Sequence, residues 1–150
     1  MSRSKDAMAE RLADLKAELA PDLEVIRLLG KGRMAEVYLA RQVSLDRLVA
    51  VKVLSSGISR NDAARARFGR EAKAAASLES PNAVSVYRYG NLENGIPYLV
   101  MQFVKGGTLE DKLAAEGPLS IDAARKIQAR IAVSARPANV DSSAAAVARP

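Results

Sequence analysis

Three β-rich runs, LEVIRLL (Leu23–Leu29), AEVYLAR (Ala35–Arg41) and LVAVKVL (Leu48–Leu54), are separated only by GKGRM and QVSLDR. A parallel pairing needs a crossover of about a dozen residues or more, so connections this short oblige successive strands to run antiparallel. The chain therefore opens a meander, and GKGRM becomes the tip of a hairpin.

From Asn61 or Asp62 to about Glu79 the pattern turns helical, with an N-cap candidate at the start, many alanines, and Ser-Pro at the end. Phe68, Ala72, Ala75 and Leu78 mark its inner face. VSVYRYG and IPYLVMQFV then flank NLENG, whose Asn-Gly pair is a strong turn signal, so two further antiparallel strands follow. The predicted fold is α+β: a five-stranded antiparallel sheet with one long helix. Leu109 to Glu116 reads as a short helix stopped by Gly117-Pro118, and Ser120 caps another that runs to about Val133. Ahead of the sheet, Met8, Leu12, Leu15 and Leu19 form an amphipathic helix ended by Pro21, which packs on the domain or on a partner. The expected divisions are 1–21 (that helix), 22–104 (the sheet domain), 105–133 (a connection and the last helices) and 134–150, an Ala- and Pro-rich tail of low order.

Composition removes several function classes. The sequence has no Cys and no His, so disulfides, thiolate metal sites, zinc chemistry and His-dependent triads are out, and no metal site is expected from the residues. No apolar run reaches the roughly 18 residues of a membrane span, and the charged N-terminus has no signal core, so a cytoplasmic, soluble chain is expected. The net charge of +6 is spread among interspersed acids, without a dense basic run, which favours a solvated basic surface over nucleic-acid binding.

The motif G-x-G-x-x-A at Gly30, Gly32 and Ala35 fits two structures: a backbone cradle for phosphate, or a tight hairpin that needs positive φ. It is not a P-loop, which requires G-x-x-x-x-G-K-[ST], nor a dinucleotide fingerprint, because a strand rather than a helix follows it. Two charged residues sit in apolar patterns. Lys52 lies between Ala50, Val51, Val53 and Leu54, and Glu71 falls on the inward stripe with Phe68, Ala75 and Leu78. Each is either a snorkelling side chain or half of an ion pair.

Together these residues resemble the N-terminal lobe of a protein kinase of the bacterial serine/threonine type. GKGRMAEV resembles its glycine-rich loop, AVKVL the strand that carries its phosphate-binding lysine, and FGREAKAAASL its regulatory helix; SPNAVSVYRYG and PYLVMQFVKGGTL resemble the next strands and the hinge. The resemblance runs from Asp22 to Val133. It implies an enzyme class that transfers the ATP γ-phosphate to Ser or Thr of proteins, with ATP and Mg²⁺ as cofactors and a protein substrate as partner. The implied nucleotide site comprises Leu29, Gly30, Lys31, Gly32, Arg33, Met34, Ala35, Glu36 and Val37 of the loop, with Ala50, Lys52, Met101, Gln102 and Val104. In it, backbone amides of Gly30, Gly32 and Ala35 lie over the phosphates, and Lys52 meets the α- and β-phosphates while paired with Glu71. Val37 and Ala50 cap the adenine, Met101 is the gatekeeper, and backbone groups of Gln102 and Val104 bond the adenine edge.

Some family features are not matched. Ala35 replaces a third glycine, Arg33 stands where relatives often have glycine, and Thr108 stands where some kinases place an acidic ribose contact. Without His there is no H-R-D, and neither Phe68 nor Phe103 lies in a D-F-G. ARPANV (Ala135–Val140) resembles the K-P-x-N run of a catalytic loop, either by coincidence or as a remnant of a deletion. These features lead to the expectation of a truncated kinase with weak or undetectable ATP affinity, inactive alone, with the Mg²⁺ ligands missing. The alternatives are a non-catalytic module docking on a full kinase, and a truncated gene product without an independent role.

Overall fold

The structure, a computed structural model, describes residues 2–134; the expected tail and ARPANV lie outside the described residues. Among the described residues two compact units are present, 2–72 with Val86–Phe103, and Lys73–Ser85 with 104–134.

The first unit begins with helix α1 (Ser2–Leu19), followed by β1 (Leu23–Lys31), β2 (Ala35–Gln42), a single 3-10 turn at Val43–Leu45, and β3 (Arg47–Leu54). Helix α2 (Asp62–Ala76) starts in this unit, and β4 (Val86–Asn91) and β5 (Pro97–Gln102) complete its sheet. All pairings are antiparallel, in the order β1-β2-β3-β5-β4. The expected five-stranded antiparallel sheet is therefore present, and β5 inserts between β3 and β4.

Period-2 alternation divides β2 and β3 into two faces. Tyr38, Ala40, Val49, Val51 and Val53 are buried in one core with Leu15 and Leu19 of α1, Leu23 and Val25 of β1, and Phe68 and Ala72 of α2. Of the two partners open to α1, the sheet is the one it packs on. Burying Leu15 and Leu19 contributes about 1.5–3 kcal/mol apiece, enough to keep a short amphipathic helix docked. No helix among the described residues is long and apolar enough to cross a membrane.

Helix α2 is capped as expected: the Asn61 side chain accepts from the Ala64 amide at 3.1 Å. It stops at Ala76 rather than Glu79. The Ser77 hydroxyl donates to the Ala74 carbonyl at 2.8 Å and the Leu78 amide to Ala75 at 3.2 Å, a tightened last turn that competes with further helix.

In the second unit, α3 (Leu109–Glu116) and α4 (Ile121–Ser134) match the expected helices closely. Thr108 and Asp111 form a capping box, and Gly117 ends α3 at φ 78°. The Thr108 amide, which donates to the Asp111 carboxylate at 2.8 Å, and then the Thr108 side chain hold the Asp111 carboxyl below the usual carboxylate range.

Candidate nucleotide site

The β1–β2 hairpin carries the glycine motif. Gly30 pairs with Val37 and Lys31 with Glu36, next to a register shift between Leu28 and Gly30. The Gly32 amide donates to the Ala35 carbonyl at 2.8 Å, closing the tip over Arg33 and Met34, and the Ser55 amide donates to the Met34 carbonyl at 2.9 Å. Only Gly95, Gly106 and Gly117 among the described glycines have φ in the left-handed region, so turn geometry does not require glycine at position 30 or 32. A Cβ added at Gly30 would meet nothing within 4 Å, and one at Gly32 only the Ala35 carbonyl oxygen at 3.4 Å. The backbone at Gly30 borders open space, as a phosphate cradle requires.

Register then assembles one face of the sheet. Lys52 lies opposite Val37 on one side and Leu99 on the other, and Ala50 lies opposite Leu39 and Met101. Directly paired residues project to the same face, so Val37, Ala50, Lys52 and Met101 share a face adjoining the glycine hairpin. Gln102 follows on β5, opposite Val49, and Val104 belongs to the second unit. The Lys52 ammonium stands 5.9 Å from the centre of the Phe68 ring of α2, a cation–π distance.

The structure does not pair Lys52 with Glu71. Glu71 accepts from Arg67 Nε at 2.9 Å, one helical turn earlier, and no Lys52–Glu71 ion pair occurs among the described residues. The sequence held the signal for this, since an Arg four residues before a Glu is a local helical partner. Leu29 and Met34 are half-buried, and Arg33 is exposed.

Glu36 is the residue whose surroundings sequence reasoning missed. It alternates with Val37, so it points to the opposite face, where it is only 6% exposed. There the Tyr38 hydroxyl donates to it at 2.8 Å, Lys31 Nζ lies at 3.3 Å and Arg11 Nε of α1 at 3.7 Å. Arg11 Nη2 also donates to the Leu54 carbonyl at 3.4 Å. Burial first, then the hydrogen bond to Glu36 and its charge, push the Tyr38 hydroxyl well above the ordinary tyrosine range, so it remains a proton donor. Among the described residues, no group of three or more His, Cys, Asp or Glu could hold a metal ion.

Residues 23–135 match the family model described as the protein kinase domain. The chain is 43% identical over 108 residues to the serine/threonine-protein kinase PrkC of Bacillus subtilis, covering 72% of this chain and 16% of that protein. It is also 43% identical over 104 residues to the serine/threonine-protein kinase PknB of Mycobacterium leprae, covering 67% of this chain and 17% of that one. The crystal structure of the Mycobacterium tuberculosis PknI kinase domain superposes with a TM-score of 0.63 at 31% identity, over 74% of this chain and 46% of that one. The chain thus spans about a sixth of these curated relatives and under half of the solved kinase domain.

Proposed function

Because the chain belongs to the protein kinase family, of the bacterial serine/threonine kind, we propose that its first unit is an ATP-binding lobe. The observation that carries this reading is the shared face of Val37, Ala50, Lys52 and Met101, with the bare Gly30 backbone at its edge. ATP, when bound with Mg²⁺, supplies the γ-phosphoryl group that the family transfers to protein Ser or Thr. In this reading Lys52 gives a fixed positive charge to the phosphates, Val37 and Ala50 give an apolar cover to the adenine, and Met101 limits the depth of the pocket. At the end of β5, backbone groups of Gln102 meet the adenine edge.

Two contacts change partners for this to work. The Gly32 amide leaves the Ala35 carbonyl for a phosphate oxygen, a charge-assisted bond stronger than the neutral one it replaces. Glu71 leaves Arg67 for Lys52; the Arg67–Glu71 pair is 48% and 37% exposed, so breaking it costs at most about 1 kcal/mol.

The 150 residues contain no His, hence no H-R-D, and no D-F-G, so we propose that this chain alone does not transfer phosphate. A second reading, docking on a complete kinase, draws on Val43, Leu45 and Leu48, which the β2–β3 connection leaves exposed. Light scattering of a mixture with such a kinase would favour docking if a defined complex formed. The primary test is a calorimetric titration with MgATP. Wild type is expected to bind MgATP weakly but measurably, and Lys52→Met to weaken affinity about tenfold or more, as expected for loss of a charge-assisted bond. Equal affinity of the two proteins would contradict the reading, and transfer of labelled phosphate by the chain alone would contradict its inactivity.

A further inference from the structure

Arg11 comes from outside the sheet, yet its guanidinium ends where the glycine hairpin is hinged to the sheet. One side reaches Glu36, two residues after Met34; the other reaches the carbonyl of Leu54, the residue before Ser55. Ser55 is the residue whose amide holds the Met34 carbonyl. One side chain of α1 thus ties together the β2 exit of the hairpin and the β3 end against which its tip is bonded.

The surroundings make this contact more than packing. Glu36 is buried, so its charge requires partners, and Tyr38, Lys31 and Arg11 supply them from three directions. Lys31 and Tyr38 belong to the two strands of the hairpin itself. Arg11 is the only one of the three carried by a separate element, and that element is anchored by Leu15 and Leu19 in the core. Arg11 Nε is buried without a hydrogen bond, so the guanidinium is held by the ion pair and by its bond to Leu54. A planar guanidinium spans two acceptors in a way that a single ammonium does not.

We propose that Arg11 is a positioning residue for the nucleotide hairpin: by joining Glu36 to the Leu54 carbonyl it sets where Gly30–Ala35 lie relative to Lys52. The proposal rests on the nucleotide reading above for its effect on affinity, but not for its effect on the hairpin. Helix α1 thereby becomes a brace through which the N-terminal segment acts on nucleotide affinity.

The test uses the full chain with Arg11→Met, which keeps the aliphatic stem, and Arg11→Lys, which keeps the charge but not the two-acceptor span. Amide hydrogen exchange is read at Gly32 in the hairpin, at Ser55 just past β3, where it bonds the hairpin tip, and at Leu92 in the β4–β5 turn, all three of which donate backbone hydrogen bonds. In Arg11→Met, exchange at Gly32 and Ser55 is expected to rise about tenfold while Leu92 is unchanged, because local opening and global unfolding are separable. A fluorescent ATP analogue is expected to bind about tenfold more weakly, within the usual range for coupling between sites, with Arg11→Lys intermediate. A uniform rise at all three amides would show a merely structural role, and no change at Gly32 and Ser55 would equally overturn the proposal. If Arg11→Met fails to fold, Arg11→Lys alone gives the contrast, because it keeps the charge near Glu36 but not the two-acceptor span to the Leu54 carbonyl. Wild type that binds no analogue would sink the proposed function and with it the affinity effect, while the exchange contrast would still decide whether Arg11 sets the hairpin.

Discussion

The β1–β2 and β4–β5 hairpins both carry glycines, and the two sets are there for different reasons. In the β4–β5 hairpin, Gly95 has φ of 76° and Arg65 of α2 lies against it, donating to its carbonyl. Gly90 faces Tyr98, its register partner, whose ring leaves no room for a side chain. In the β1–β2 hairpin, Gly30 has neither an unusual φ nor a neighbour within 4 Å. The fold demands glycine in one hairpin and makes no such demand at Gly30, where the open backbone suits the proposed nucleotide site.

Gly90 is expected to show the largest effect. A Cβ there would stand 2.8 Å from the Tyr98 ring, so Gly90→Ala is expected to destabilise the fold by about 1–3 kcal/mol in a denaturant titration, the usual cost of overpacking. Next comes Gly95→Ala. Its left-handed backbone costs an L-residue about 1–2 kcal/mol, and Arg65 Nη2, 3.0 Å from the added Cβ, must also shift. A thermal melt unchanged by either substitution would erase the distinction between the hairpins. Gly30→Ala is expected to leave stability within about 0.5 kcal/mol of wild type, because the strand conformation suits alanine and nothing is displaced.

Much of this was legible in the sequence. Short connections dictated the antiparallel sheet, and turn and cap residues placed α3 at Leu109–Glu116. The face that carries Val37, Ala50 and Lys52 follows from alternation plus the β2–β3 register. What could not be read was which distant groups meet. Arg11 and Glu36 lie far apart in sequence, and nothing in the period of α1 says which side of the sheet it covers. Glu71 was assigned to Lys52 by resemblance, while Arg67, four residues away, offers a nearer partner that needs no tertiary rearrangement. The third glycine of the family pattern is Ala35 here, and it is buried beside Leu54, its register partner, so packing accounts for a side chain at that position.

If the open space at Gly30 belongs to a nucleotide, MgATP titration of Gly30→Ala beside wild type will register it. Affinity is expected to fall about tenfold, equivalent to about 1.4 kcal/mol, with the denaturation midpoint unchanged. Equal affinity in a wild type and a variant that both bind MgATP would show that the phosphates lie elsewhere, and would contradict the assignment of the hairpin as their lid.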